Sequence, residues 1–273
     1  MPTGFATNGV CSPESVNGNR DACSCKDSDS LSADHLVIMV HGILGSSSDW
    51  KFGAEQFVKR LPDKVFVHCS EHNMSERTLD GVDIMGERLA KEVSTNFIMS
   101  LRLFKKSQIY AKISFVAHSV GGLVARYAIG RLYRPPKEEV KEDTSGNGCK
   151  EEAEGTIGGL EAMNFITVAT PHLGSRGNKQ VPFLFGVTAF EKAAKHCKAY
   201  DNDQDEAEDN GSHDKLEEEL VRGLSRVSWE KIDVSFHRSK QRIAAHSVIQ
   251  VKDQVLHIEG ADVIRHMIDK FLT

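Results

Sequence analysis

The sequence predicts a doubly wound α/β fold built on a mostly parallel sheet, and three observations carry that expectation. Apolar runs of strand length recur without polar alternation, as strands covered on both faces do. Segments with helical spacing separate them, and strand, helix, strand is the order from which right-handed crossovers assemble a parallel sheet. One strand run ends abruptly in a serine flanked by small residues, the kind of junction that exposes a nucleophile. With 273 residues and 40% hydrophobic content, the chain is long enough for one domain with a substantial core.

Residues 1–33 are rich in Ser, Asn, Gly and Asp, with too few large apolar side chains to offset the entropy of ordering. They read as a disordered tail ahead of a domain spanning 34–273. Leu36 to Val40 is the first strand. Asp49-Trp50 opens a helix with Phe52, Phe57, Val58 and Leu61 on its inner face, and Pro62 stops it. Val65 to Cys69 is the second strand, and Leu79 to Phe104 then places Ile84, Met85, Leu89 and Val93 at helical spacing. Ile113 to Ala117 and Phe165 to Ala169 are the third and fourth strands. Acidic, hydrophilic segments at 135–155 and 201–219 interrupt this order and read as solvated insertions, the second without the ligand spacing of a calcium loop. Beyond them come a short helical pattern (Leu216, Leu220, Val221, Leu224), a strand-like alternation from Trp229 to His237, and then the segment from Ala244 to Val251 with His246 in a short loop. A closing helix from Ala261 to Leu272 carries Val263, Ile264, Met267, Ile268 and Phe271 on one stripe.

Composition narrows the function. The net charge is −5 and no basic stripe interleaves with aromatics, which argues against a nucleic-acid partner. No run reaches the roughly 18 apolar residues of a membrane span, and the first 25 residues have neither a basic n-region nor an apolar h-region. A soluble, cytoplasmic protein is expected, with peripheral membrane contact left open. The six cysteines (Cys11, Cys23, Cys25, Cys69, Cys149, Cys197) are scattered without paired CxxC units, so they read as free thiols; no metal or organic cofactor is expected.

The chemistry concentrates at Ala117-His118-Ser119-Val120-Gly121-Gly122. A strand–turn–helix bend this tight needs almost no side chain two residues before and two after the serine; Ala117 stands where the G-x-S-x-G pattern has its first glycine, and Gly121 keeps the second. The following helix points its N-terminal amides at the serine. Val40-His41-Gly42-Ile43-Leu44-Gly45 supplies a second element, a strand emptying into a glycine-flanked turn whose amides are free to face a ligand. In an α/β-hydrolase the oxyanion donors are the amide after the nucleophile and one from this loop, here Val120 and Ile43. Chain order in that fold puts the base after the last strand, where His237, His246, His257 and His266 qualify; His246 is chosen because it sits in a loop beside strand-like segments. His41, His118 and His172 are candidates for lining the pocket, and His172 serves equally as a turn residue.

Together with Thr170-Pro171-His172-Leu173-Gly174 and the His246 segment, these motifs resemble the DUF676 serine esterases, most closely their plant lipase-like members, from about His35 to the C-terminus. The resemblance implies an α/β-hydrolase fold and lipase or carboxylesterase activity, with Ser119 as nucleophile and His246 as the histidine. It also implies a strand and an Asn-Asp-x-x-Val-like turn that supplies the triad acid. That turn is missing here: Val181 to Lys192 runs almost directly into the acidic segment, and Ser94 to Gln108 also departs from the family's usual approach to the elbow strand, as in a splice form or imperfect gene model with an internal deletion. The sheet is therefore expected to lack a late strand. Asp233 is the weak candidate for a replacement acid, and Asn202-Asp203 has no apolar anchor for a turn.

The expected function is cleavage of a carboxylic ester of an apolar acyl group, with a small-molecule or lipid ester as substrate. Its rival is a catalytically impaired hydrolase that binds a lipid or a partner through the same pocket, and a thioesterase or peptidase is a third reading. Val181 to Phe190 serves equally as an apolar flap or as a buried connection.

Overall fold

A computed structural model describes residues 33–103, 110–136, 155–174 and 212–273. Strands β1 (His35–Val40), β2 (Val65–Cys69) and β3 (Lys112–His118) are followed by β4 (Tyr133–Arg134), β5 (Thr156–Ile157) and β6 (Leu160–Val168). They form one sheet in the order β2-β1-β3-β6-β5-β4. β1 pairs in parallel with β2 and β3, and β3 in parallel with β6; only the short β5 and β4 run antiparallel. The four apolar runs read from the sequence are these four parallel strands. Gly158 and Gly159, at φ 63 and 92°, turn β5 into β6, a backbone that residues with a Cβ avoid.

The helices are α1 (Lys51–Arg60), α2 (Val82–Leu103), α3 (Gly121–Leu132), α4 (Ser212–Leu224), α5 (Ala245–Val248) and α6 (Ala261–Asp269). They cover both faces, which is why the strands are apolar throughout rather than alternating. On one face Met85, Leu89 and Val93 of α2 and Val124, Ala125 and Ala128 of α3 pack on Leu36, Ile38, Ile113 and Phe115. On the other, Phe57 of α1 and Ile264, Met267 and Ile268 of α6 pack on Val37, Met39 and Val116. Burying one such side chain contributes about 1.5 to 3 kcal/mol, so the doubly covered centre of the sheet is where the fold's stability resides. The residues after α6 are fastened there too: Asn164 of β6 donates to the Leu272 carbonyl at 2.8 Å and accepts from its amide at 3.0 Å.

Several expectations are corrected. Trp229 to His237 is exposed coil, because its alternation finds no ladder partner and only Trp229 and Phe236 are partly covered. The loop expected at His246 is helical instead: a 3-10 turn at Arg242–Ala244 leads into α5, and Val251 follows in the left-handed region. The acidic segment read as loop through residue 219 is helical from Ser212. Past the β5 pairing at Leu160 and Glu161, the outer edge of β6 meets no further strand among the described residues. Residues 1–32, most of both acidic segments, Asn202-Asp203 and the Val181 to Phe190 run lie outside the described residues. No described helix is long and apolar enough to cross a membrane.

One buried charge stabilises the turn after β2. Glu92 of α2, 2% exposed, accepts hydrogen bonds from His68 at 2.9 Å, the Ser70 hydroxyl at 2.8 Å, and the amides of Glu71 and His72 at 2.7 and 3.3 Å. Burial alone would raise its pKa, but the donors, His68 first, outweigh it and hold the carboxyl below its usual value. Glu92→Ala is expected to cost about 2 to 4 kcal/mol in urea unfolding, because it strands the buried Ser70 hydroxyl and frees the turn. With the folded pKa below the unfolded one, the stabilisation is complete at neutral pH and is lost as pH falls through the folded value. The variant's stability should therefore depend less on pH across that acid range than the wild type's.

Candidate active site

The nucleophile candidate stands where β3 gives way to α3. Ser119 has φ 56°, a left-handed backbone that few non-glycine residues adopt and that persists only where the surroundings enforce it. They do so here. Its amide donates to the carbonyl of Val168 at the end of β6 at 2.9 Å, and its carbonyl accepts from Gly122 at 3.1 Å. A Cβ on Gly121 would press on the carbonyl oxygen of His41, and one on Gly122 on the Thr170 hydroxyl, so the bend and the neighbouring strand ends approach without intervening side chains. Ala117 is fully buried in β3, which accommodates the methyl group that departs from G-x-S-x-G.

The loop after β1 comes equally close. A Cβ on Gly42 would lie 2.9 Å from that of Ser119, so Ile43, the next residue, follows directly against the bend. The loop is fastened by its other amides: Leu44 donates to the Thr78 hydroxyl at 2.7 Å, Gly45 to the Gly42 carbonyl at 3.2 Å, and the Ser75 amide to the Gly45 carbonyl at 2.9 Å. The amides of Ile43 and Val120 donate to no described residue, and Val120 is buried at the head of α3. Two unengaged N–H groups beside a strained serine are what an oxyanion requires. Thr78, which holds this loop, gave no signal in the sequence.

The histidines separate into distinct environments. His118 is 2% exposed and its Nε2 lies 2.7 Å from the carbonyl oxygen of His246. A carbonyl only accepts, so Nε2 carries the proton and Nδ1 is left as a buried lone pair with no partner among the described residues. Burial, then the neighbouring His246 and Lys252, push the His118 pKa down to about 3, so the ring is neutral. Its ring packs against that of His246 at 4.6 Å between centroids, the planes tilted by 48°. The residue expected only to line the pocket thus joins the His246 segment to the bend.

His246 sits in α5 rather than in a loop beside a strand, and it remains exposed. Partial burial, then the Lys252 ammonium, hold its pKa below the usual histidine value. Neither of its ring nitrogens bonds to a described carboxylate. Asp233, the replacement acid considered from sequence, lies exposed on the coil and makes no bond to His246. The carboxylate that borders this cluster is instead Asp49, whose Oδ2 is 2.6 Å from Lys252 Nζ. Val251, β-branched, 1% exposed and at φ 56°, sets the backbone from which Lys252 reaches it. That ion pair ties the His246 segment to the loop after β1, and no sequence spacing announces it.

His41 is buried and its Nδ1–H donates to the Gly42 carbonyl at 3.0 Å; burial lowers its pKa, against the pull of that bond and of Asp49. His172 belongs to a different group. It accepts from Arg126 at Nδ1 over 3.3 Å and donates from Nε2 to the Thr167 hydroxyl at 2.9 Å, with Trp229 against its ring. Burial, then Arg126, lower its pKa. The structure therefore brings Ser119, Val120, Ile43, His41, His118 and His246 into one neighbourhood and leaves His172 engaged in the turn after β6.

The DUF676 family, described as putative serine esterases, matches residues 30–254. The chain belongs to the DUF676 family. This DUF676 chain is 30% identical over 144 residues to the protein named putative lipase ROG1 of Saccharomyces cerevisiae, covering 51% of the chain and 17% of that protein. It is 29% identical over 147 residues to putative lipase C4A8.10 of Schizosaccharomyces pombe, covering 52% and 16%. The chain thus spans about a sixth of the length of these curated relatives, and both are fungal rather than plant proteins. Among solved structures it is similar to RedJ with a polyethylene glycol molecule bound in the active site, at TM-score 0.37 and 12% identity, covering 89% of this chain and 98% of that one. The RedJ thioesterase of the prodiginine pathway in Streptomyces coelicolor matches at TM-score 0.34 and 16% identity, covering 79% and 72%. The fold is α/β-hydrolase-like on its own topology, a parallel β2-β1-β3-β6 core with the serine bend at the end of β3.

Proposed function

We propose that this DUF676 chain is a serine hydrolase that cleaves carboxylic esters of apolar acyl groups. The observation that supports it best is the left-handed Ser119 set against two unengaged amides from separate loops. In this reading the Ser119 hydroxyl attacks the ester carbonyl carbon while the His246 imidazole takes its proton. The amides of Ile43 and Val120 hold the carbonyl oxygen as it becomes an oxyanion, each contributing about 3 to 4 kcal/mol in comparable sites. Collapse expels the alcohol, protonated by His246, and leaves an acyl-serine; water, deprotonated by the same imidazole, releases the acid and restores the serine.

A second reading, a weak or inactive hydrolase that binds a lipid or a partner, draws on one observation: no described carboxylate bonds to His246. Loss of the acid costs about 10⁴-fold in comparable triads. A fluorophosphonate probe separates the two readings, because it phosphonylates only a serine activated by its surroundings. Stoichiometric labelling of the wild type and none of Ser119→Ala is expected. Absence of label on both proteins would leave only the binding reading.

A further inference from the structure

We propose that His118 is the positioning residue of this site: its Nε2–H, held on the carbonyl of His246, and its ring, laid against the His246 ring, fix the base as a carboxylate does in a complete triad. The proposal rests on the reading of Ser119 as nucleophile and His246 as base.

The geometry has an economy that a loop carboxylate lacks. His118 is the last residue of β3, and Ser119 follows it directly, so one rigid strand end carries both the nucleophile and the tether to the base. The tether is short, 2.7 Å, and it spans 128 residues of sequence. It is also secluded from water, since His118 is 2% exposed. A buried polar ring with one unpartnered nitrogen calls for a compensating interaction, and the bond from Nε2 is the one that His118 makes. Among the described residues, the charged and titratable groups about the cluster are His41 on the loop after β1, and Lys252 with its partner Asp49. None of them bonds to the His246 ring.

A triad carboxylate does two things: it orients the imidazole, and it stabilises the imidazolium that forms. His118 is neutral and supplies only the first. With no anion on it among the described residues and Lys252 nearby, His246 stays neutral to lower pH than a carboxylate-bound histidine would. The acid limb of kcat/KM is thus expected below the ordinary histidine value of 6.5.

Two polar, uncharged substitutions test this in the full chain. The Nε2 of a glutamine reaches about where the imidazole Nε2 stands, whereas the amide of an asparagine reaches only to the Nδ1 position. With a soluble short-chain nitrophenyl ester and rates counted per fluorophosphonate-titrated site, His118→Asn should lower kcat about 30- to 100-fold with KM within about twofold, and His118→Gln should stay within about fivefold. A purely structural role for His118 would lower the melting temperature and the titratable fraction but leave per-site kcat unchanged. Wild-type per-site kcat in His118→Asn, or equal losses in both variants, overturns the proposal while the hydrolase reading stands. Full activity in Ser119→Ala overturns both.

Discussion

Ser119→Ala and His246→Ala should each lower kcat on a short-chain ester by roughly 3 × 10³- to 10⁴-fold, and the double variant should fall no further. Nucleophile and base act as one unit, so removing either abolishes the step that the other serves. The size of the drop follows from the absence of a carboxylate on His246 among the described residues. In a complete triad, loss of serine or histidine costs about 10⁶-fold and loss of the acid about 10⁴-fold, so a site with no acid function has only about 10²-fold left to lose. Orientation of His246 by the His118 tether restores part of that range, and the missing imidazolium support accounts for the rest. Initial rates normalised to the concentration of folded protein measure the fall, with the double variant read against each single one. Effects that multiply in the double variant would separate Ser119 from His246 and remove the case for proton transfer between them.

The bend at Ser119 is legible in the sequence because its requirement is local: small residues at fixed offsets after an apolar run. The four parallel strands are legible for a similar reason, since burial on both faces leaves no alternation, and the structure covers every residue of β1. The region after β6 is less legible because the pattern there depends on what lies beside it. Trp229 to His237 alternates as a strand would, yet a strand exists only where a neighbour completes its ladder, and no described strand lies beyond the outer edge of β6. The run from Ala244 to Val251 is apolar because Val248, Ile249 and Val251 are buried, the last two in the core over β1 and β3, which a helical turn satisfies as well as a strand. Long-range polar contacts left no trace at all. His118 with the carbonyl of His246, Lys252 with Asp49, and Glu92 with the turn after β2 join residues whose separation in the chain follows no period. Chain order narrowed the base to four histidines, and loop position with the family resemblance chose His246, but none of these could reveal which group holds that ring.

Gly121→Ala should be the most damaging single-methyl change near the site, costing about 3 kcal/mol of stability and abolishing fluorophosphonate labelling. The added Cβ would press on the carbonyl oxygen of His41 and lie 2.9 Å from that of Val40. Both are backbone atoms at the end of β1, so no rotamer change relieves the contact; the strand end itself must move. That end carries Gly42 and Ile43, and its displacement takes the Ile43 amide from the position where an oxyanion would form. Ala117→Gly is the matched control on the other side of the serine. It restores the usual glycine where the buried strand already accepts a methyl group, and should cost only about 0.5 to 1 kcal/mol with labelling intact. Urea unfolding and probe labelling of the two variants side by side distinguish a bend that needs room at one flank from one that needs it at both. Wild-type labelling in Gly121→Ala would mean that the loop after β1 is not held against the bend, and the assignment of its amide would fail with it.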